Sequence, residues 1–492
     1  MNTNENLFEI NTRVWLRRFD KETKKAKIND VPISYWEALA EQGIDYVWLM
    51  GIWKNSPQTI EKYCFEEDLV KGYKFALKDW KKEDVIGSPF SIDQYEINPA
   101  IGTEKNILEL KKLLNSLGVK LILDYIPNHF SAESEVIKRH PEIFLETEWE
   151  SYLRDSHTFY KPDVVQNRVF AHGRDPFFPA WQDTIQVNYF SKEAREYMVK
   201  NLLNLTKICD GVRCDMAMLA LNNVFKNTWG GVLSRKGFEK PKEEFWKVAV
   251  EIVKNYCPDF IFIAEAYWDL EWELQQLGFD FTYDKKLTDR LIGGSIADIH
   301  DHLLAEPDYQ QRSIRFIENH DEKRAVTAFG KDRSLAAAVI ISTLQGMHLF
   351  YDGQFEGRRT KLPVQLGREP EEPPVKFIGD FYEKLLKIIN HDVFKKGEWQ
   401  LLDVLPAGEG SQSYKNILAW MWKYSAEKRL VVINFGDNTA SARIQLDVRG
   451  YPEQFSLVDL LNDQTYLRTT AEAYTIGLFV ELKNFKSHIF SY

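Results

Sequence analysis

The 492-residue sequence predicts an α/β fold, a (β/α)8 TIM barrel with an inserted subdomain after strand 3 and a C-terminal antiparallel β-sandwich domain. Three observations predict it. Eight short apolar runs recur over roughly the first 380 residues, most of them separated by segments of helical periodicity. Between His129 and about Val187 that rhythm stops, and the chain turns rich in aromatics, proline and charge. So long an irregular stretch in a compact protein is usually functional. From about Gly397 the apolar runs become short, alternating and separated by Gly/Asn/Asp turns.

The elements follow in order. Strand 1 is expected at Arg13–Leu16 and strand 2 at Asp45–Met50, with a long loop Lys54–Pro89 behind it. Thr103 is a helix N-cap; Ile107, Leu110, Leu114 and Leu117 share one face, and Gly118 marks the stop. Strand 3, Val119–Leu123, ends in the polar cluster Asp124-Tyr-Ile-Pro-Asn-His129. The insert contains Arg174-Asp-Pro-Phe-Phe-Pro-Ala-Trp181. Ser191 opens a second helix, with Ala194, Met198, Leu202 and Leu205 on one face, and strand 4 runs Ile208–Arg213 toward Asp215. Strand 5 ends at Glu265, strand 6 covers Phe279–Tyr283, strand 7 starts at Ser313 and leads to Asn319-His-Asp321, and strand 8 is Met347–Tyr351. A turn-prone stretch, Gly367–Pro374, and a helix Asp380–Asn390 precede the β runs Ile417–Trp422, Leu430–Phe435, Ala442–Val448 and Gly477–Leu482. The expected domains are 1–129 with 187–394 for the barrel, 130–186 for the insert and 395–492 for the sandwich.

Composition narrows the function. Lys+Arg total 63 against 73 Asp+Glu, a net charge of −10, and an acidic surface repels phosphate backbones, so no nucleic-acid partner is expected. The four cysteines form no C-x-x-C pair, which argues against zinc-ribbon and disulfide-dense architectures. The longest apolar stretch, Leu335–Tyr351, is interrupted by Ser342, Thr343, Gln345 and His348 and is too short and polar to span a bilayer. Met-Asn-Thr-Asn-Glu-Asn at the start has neither a basic nor an apolar leader region, so the expectation is a cytoplasmic protein without membrane contact. Aromatics reach 14%; aromatic faces line sugar, base and apolar-ligand sites, and they also fill cores.

A barrel works at the C-terminal ends of its strands. Those ends carry Asp124, Asn128 and His129 (strand 3), Arg213 and Asp215 (strand 4), Glu265 (strand 5), and Asn319, His320 and Asp321 (strand 7). Each has a bland use: an Asp can cap a helix, a His can sit hydrogen-bonded in the core, and Asp124 can simply pair with Arg213. Together they converge on one mouth. Two close carboxylates cannot both stay comfortably ionised, so one becomes a proton donor while the other serves as nucleophile. That is the equipment of a retaining glycosidase. Arg213 lies two residues before Asp215, on the same side of the strand, where a guanidinium orients the carboxylate and keeps it ionised.

The four clusters resemble the signature regions of glycoside hydrolase family 13, the α-amylase family. Asp124–His129 is similar to the first, Gly211-Val-Arg-Cys-Asp215 to the second, Ala264-Glu265-Ala266 to the third and Phe316-Ile-Glu-Asn-His-Asp321 to the fourth, in order and spacing over essentially the whole chain. The resemblance implies Asp215 as nucleophile, Glu265 as acid/base and Asp321 as transition-state stabiliser. It implies His129 and His320 as hydrogen-bond partners of the sugar, with Asp124 and Arg213 completing the polar floor. Ser88-Pro-Phe-Ser-Ile-Asp-Gln-Tyr95 resembles the family stretch that supplies a stacking Tyr, and Phe90 stands there, keeping the ring and losing the hydroxyl.

The chain departs from the family pattern at Met218 and Leu219, where many α-amylases carry a Lys-His pair, and at Asp183-Thr-Ile-Gln-Val-Asn188, in the place of the fifth motif. No metal ligand or cofactor is assigned. A structural calcium ion stays open, because Asn128 occupies the usual ligand position while the His that would help hold the ion is replaced. Trp268 and Trp272 offer either a sugar platform or helix packing, Gly353–Gly357 either lines the mouth or forms a plain loop, and Arg358-Arg359 with Lys361 reads as a solvated loop. The expected activity is retaining hydrolysis of α-1,4-glucans or maltooligosaccharides through a covalent glucosyl enzyme. The alternatives are a transglycosylase or isomerase of the same family acting on maltose, sucrose or trehalose, a non-catalytic sugar- or protein-binding barrel, and a barrel using the carboxylates as metal ligands.

Overall fold

A computed structural model describes residues 4–492; Met1–Thr3, the first half of the segment read for a leader, lie outside the described residues. Eight strands close a barrel: β1 Asn6–Asn11, β2 Tyr46–Met50, β3 Lys120–Tyr125, β4 Gly211–Cys214, β5 Ile261–Ala264, β6 Phe281–Tyr283, β7 Ser313–Arg315 and β8 Met347–Tyr351. Every pairing around the ring is parallel, including β1 with β8. The strands read as continuous apolar runs because both faces are buried. Leu7, Trp48, Ile122, Ile263, Phe281 and Leu349 fill the interior. Phe8, Val47, Leu121, Phe262 and Phe350 face outward into the larger core under the helices.

Strand 1 is corrected. Arg13–Leu16 is helical, Thr12–Trp15 forming one turn and Leu16–Phe19 a 3-10 turn. Its Val, Trp and Leu look strand-like, yet closing the ring requires a strand that pairs with both β2 and β8, and Asn6–Asn11 does so. Arg13 is buried under the barrel mouth, donating to Asn55 Oδ1 at 3.3 Å and to the Val364 carbonyl at 2.8 Å.

The stretch Lys54–Pro89 is more than a loop. It holds helices Pro57–Tyr63, capped by Ser56, and Glu67–Ala76. The helix before β3 runs Glu104–Ser116 from the expected cap Thr103, and the helix before β4 runs Lys192–Leu205 from Ser191. After β3 the chain leaves the barrel. His129–Ser131 pairs antiparallel with the returning Thr184–Gln186, which ties the neck of the insert. Between them lies a small three-stranded sheet of Glu146–Thr147, Val169–Ala171 and Phe159–Tyr160.

The helix after the turn-prone stretch covers Lys376–Ile389. Beyond it lie a six-stranded antiparallel sheet and a three-stranded one. The larger contains Ile417–Tyr424, Glu427–Asn434 and Ser487–Ser491. Alternation along these strands splits their side chains. Leu418, Trp420, Trp422, Val431 and Ile433 join the core shared with the barrel helices. Ile417, Ala419, Leu430 and Val432 join the core of the sandwich. Among the described residues no helix is long and apolar enough to cross a membrane.

Candidate active site

Side chains two apart on a strand share a face. Leu7 and Ile122 face the barrel interior, so Glu9 and Asp124 do too. By the same count Glu265 continues from Ile261 and Ile263, and Asp215 from Arg213. The polar residues therefore form the top layer of the apolar barrel filling.

Arg213 is the hub, and its side chain is 0% exposed. Its Nη1 donates to Asp215 Oδ1 at 2.7 Å, its Nη2 lies 2.8 Å from Glu265 Oε2, and Asp124 Oδ1 is 3.9 Å away. The Nη2 contact is an ion pair of poor hydrogen-bond direction, so Coulomb attraction holds Glu265 there. The Tyr283 hydroxyl accepts from Nε at 3.3 Å. Trp48 and Phe90 each lie 5.1 Å from the guanidinium carbon. Glu265 Oε2 also accepts from the Met216 amide at 2.6 Å, and Oε1 from the Tyr267 hydroxyl at 2.8 Å.

Asp124 is buried and accepts from Trp48 Nε1 at 3.0 Å and the Gly51 amide at 2.9 Å. One donor on each oxygen makes it a brace of the floor. His320 joins the opposite side. Its Nδ1 lies 2.6 Å from Glu9 Oε1, and its Nε2 lies 3.0 Å from Asp321 Oδ2. The second contact also lacks hydrogen-bond direction and counts as charge pairing. The Phe90 ring lies 5.2 Å from His320 and forms the apolar wall between it and Arg213. Asp321 opens to the mouth, with its side chain 45% exposed.

The charges sort themselves. Burial pushes Glu265 up to about 7, Arg213 opposing and Asp215 adding. Burial pushes Asp215 up too, against the charge and hydrogen bond of Arg213. The guanidinium therefore offsets the burial of Asp215 without overcoming it. For Asp321 the partial loss of water at the mouth opposes the charge, but His320 outweighs it and holds the carboxyl well below the usual range. For His320 burial likewise opposes the charge, and Asp321 and Glu9 outweigh it, raising the ring to about 10. Burial lowers His129 to about 3, so that imidazole is neutral. Burial raises Asp124 to about 6 against the pull of Arg213. The site thus holds a proton donor that titrates near neutrality beside a guanidinium-bound carboxylate, and a third carboxylate locked as an anion.

The structure brings Asp124, Arg213, Asp215, Glu265, Phe90, His320 and Asp321 into one contact network. His129 adjoins it from the neck of the insert, its ring hydrogen-bonded to the Phe90 backbone and 5.4 Å from Trp181. Met218 and Leu219 are fully buried. Trp268 and Trp272 do not form one platform: Trp268 meets Phe177 edge-on at 4.9 Å, and Trp272 lies 6.5 Å from Tyr309. Gly353–Gly357 is a packed turn, with Gln354 buried and donating to the Tyr382 hydroxyl at 2.9 Å. The basic loop is not simply solvated, since Lys361 Nζ donates to the Asp321 carbonyl and Arg358 pairs with Glu369. Sequence reasoning missed Glu9, Tyr267 and Tyr283. Glu9 had a signal, a lone charge inside the apolar run Asn6–Asn11. Tyr267 and Tyr283 had none, because an aromatic at a strand end reads equally well as core.

Comparison with known proteins follows the same line. The family model for the alpha amylase catalytic domain matches residues 33–372. Alpha-amylase 3 of Dictyoglomus thermophilum is 25% identical over 299 residues, 56% of this chain and 55% of that protein. Alpha-amylase MalA of Haloarcula japonica is 22% identical over 367 residues, 73% of this chain and 49% of that protein. The chain thus spans about half the length of the curated relatives it matches. In fold, it resembles the maltogenic alpha-amylase AmyB of Thermotoga neapolitana, at 20% identity and a TM-score of 0.69, covering 100% of this chain and 99% of that one. It also resembles the alpha-amylase of Geobacillus thermoleovorans solved with acarbose, at 16% identity and a TM-score of 0.67, covering 99% and 98%.

Proposed function

The chain belongs to the α-amylase family, glycoside hydrolase family 13, and from that premise we propose that it is a retaining α-glucoside hydrolase of α-1,4-glucans or maltooligosaccharides. One observation carries the reading: a single buried guanidinium holds Asp215 and Glu265 on its two terminal nitrogens, at 2.7 and 2.8 Å. Sharing one small cation supports the short spacing of a retaining pair, about 5–5.5 Å, over the wider gap of an inverting one.

The steps follow from the charges. Glu265, titrating near neutrality, protonates the glycosidic oxygen as the C–O bond breaks. Asp215 attacks the anomeric carbon from the other side and forms the glucosyl ester. Glu265, now ionised, takes a proton from water, which attacks the same carbon and frees Asp215. Asp321, held anionic by His320, favours the positive charge that develops on the sugar ring. Phe90 offers its ring face to the sugar, and neutral His129 offers a hydrogen bond.

The test is a product analysis. The protein and its Asp215→Asn variant are incubated with maltoheptaose, pullulan, sucrose and trehalose, and products and their anomeric form are followed. Short α-maltooligosaccharides from wild type alone are expected. Longer or isomeric products move the assignment to the transglycosylase or isomerase reading. Turnover by Asp215→Asn at the wild-type rate removes Asp215 as nucleophile.

A further inference from the structure

The neck of the insert carries an arrangement that the activity does not use. Thr184–Gln186 returns antiparallel to His129–Ser131, with Gln186 opposite His129. The Gln186 side chain is completely buried, and Asn128 is 1% exposed. Three carbonyl oxygens converge on Gln186 Nε2: Asn128 O at 2.9 Å, Asn128 Oδ1 at 2.9 Å and Val187 O at 3.0 Å. The Val187 amide donates to the Asn128 carbonyl at 3.0 Å, closing the same junction from the other strand.

Oxygens gathered around one point also describe a cation site, and the family resemblance puts a calcium ligand at Asn128. The donor set decides between the two. Calcium takes about 6–8 oxygens, with carboxylates to balance its charge. The three oxygens here, and the buried Gln186 Oε1 that has no partner, are neutral carbonyls, and the group the three surround is a neutral amide nitrogen with two N–H bonds. Among the described residues no three His, Cys, Asp or Glu side chains gather in a metal-ligand arrangement. The residues present do not fit calcium at this position.

We propose that the Gln186 amide takes the place of a metal ion at this junction, so that one side chain of the insert ties it to the end of β3. The tie reaches the mouth. With its oxygen occupied by Gln186, Asn128 turns Nδ2 toward His129 Nδ1 at 3.3 Å. The imidazole then accepts at Nδ1 and carries its proton on Nε2, an assignment that follows from the hydrogen bonds.

The test reads metal content and thermal midpoint, and so stands apart from the activity proposed above. Wild-type protein is dialysed against EDTA, its calcium measured by mass spectrometry, and its midpoint compared in EDTA and in millimolar calcium. No bound calcium and an unchanged midpoint are expected. Gln186→Glu keeps the shape, removes both N–H donors and turns an anion toward the three oxygens. Its midpoint in EDTA is expected to fall by about 2 °C or more, and calcium to restore it. A fall that calcium does not restore, beside an insensitive wild type, still supports the amide tie. One calcium held per wild-type chain, a wild-type midpoint raised by calcium, or Gln186→Glu as stable in EDTA as wild type overturns it. Should Gln186→Glu fail to fold, the wild-type measurements decide alone.

Discussion

The most consequential side chain is Arg213, a buried cation beside Asp124, Asp215 and Glu265 whose charge opposes the burial that favours their protonated forms. Glu265 lies on the same guanidinium as Asp215, yet burial still brings it up to about 7. Under the proposed mechanism turnover requires Glu265 protonated before substrate binds. The rate therefore falls as pH rises through about 7, because the acid loses its proton. The fall is about tenfold in kcat/KM per pH unit beyond that point. Glu265→Gln is expected to lower kcat by about 10²–10⁴-fold and to erase that alkaline limb. An alkaline limb unchanged in Glu265→Gln assigns the titration to another group. The proposed catalytic carboxylates were legible because each lies at or a few residues beyond the end of a strand-like run. Glu9 was not recognised, because strand 1 was read seven residues too late by its start, and a charge in an unassigned segment has no face.

At the scale of elements, local chemistry and pairing divide the work. The helix Glu104–Ser116 begins where its cap demands. Thr103 Oγ1 accepts from the Asn106 amide at 3.3 Å, while Asn106 Oδ1 accepts from the Thr103 amide at 3.0 Å. Thr103→Ala is expected to cost about 1 kcal/mol, read in chemical denaturation, and Thr103→Ser to cost little. Equal stability of wild type and Thr103→Ala removes the cap from the account. Such caps are legible because both partners lie within four residues. Strand 1 shows the opposite case. Nothing local distinguishes Asn6–Asn11 from Arg13–Leu16 as a strand; the choice depends on what β2 and β8 present as partners. The helices in Lys54–Pro89 lie between these extremes, with Ser56-Pro57 a readable start that the surrounding charge obscured.

Across the whole molecule, the barrel and the C-terminal sandwich share a core. Trp422 belongs to the sandwich, is 1% exposed, and donates its indole N–H to the carbonyl of Thr343 on a barrel helix at 2.7 Å. Trp422→Ala removes a buried aromatic and leaves the Thr343 carbonyl unpaired, an expected loss of about 3–5 kcal/mol. We expect a lower calorimetric midpoint together with new proteolytic cleavage near residue 397. A sandwich that stays docked and protected in Trp422→Ala places the junction's strength elsewhere. The sequence alone determined the barrel, the insert after strand 3, the C-terminal β-domain, and the strand ends that carry Asp215, Glu265 and Asp321. It could do so because periodicity, caps and turn residues act over a few positions. Only the tertiary structure decided that Asn6–Asn11 closes the ring and brings Glu9 to His320. It alone placed Arg213 between two carboxylates, and set the Gln186 amide among three oxygens at the neck. Most of those contacts join residues tens to hundreds of positions apart, as Glu9 with His320, Arg213 with Glu265 and Gln186 with Asn128 do, and what each side chain then does depends on distance, burial and charge, which no run of neighbouring residues encodes.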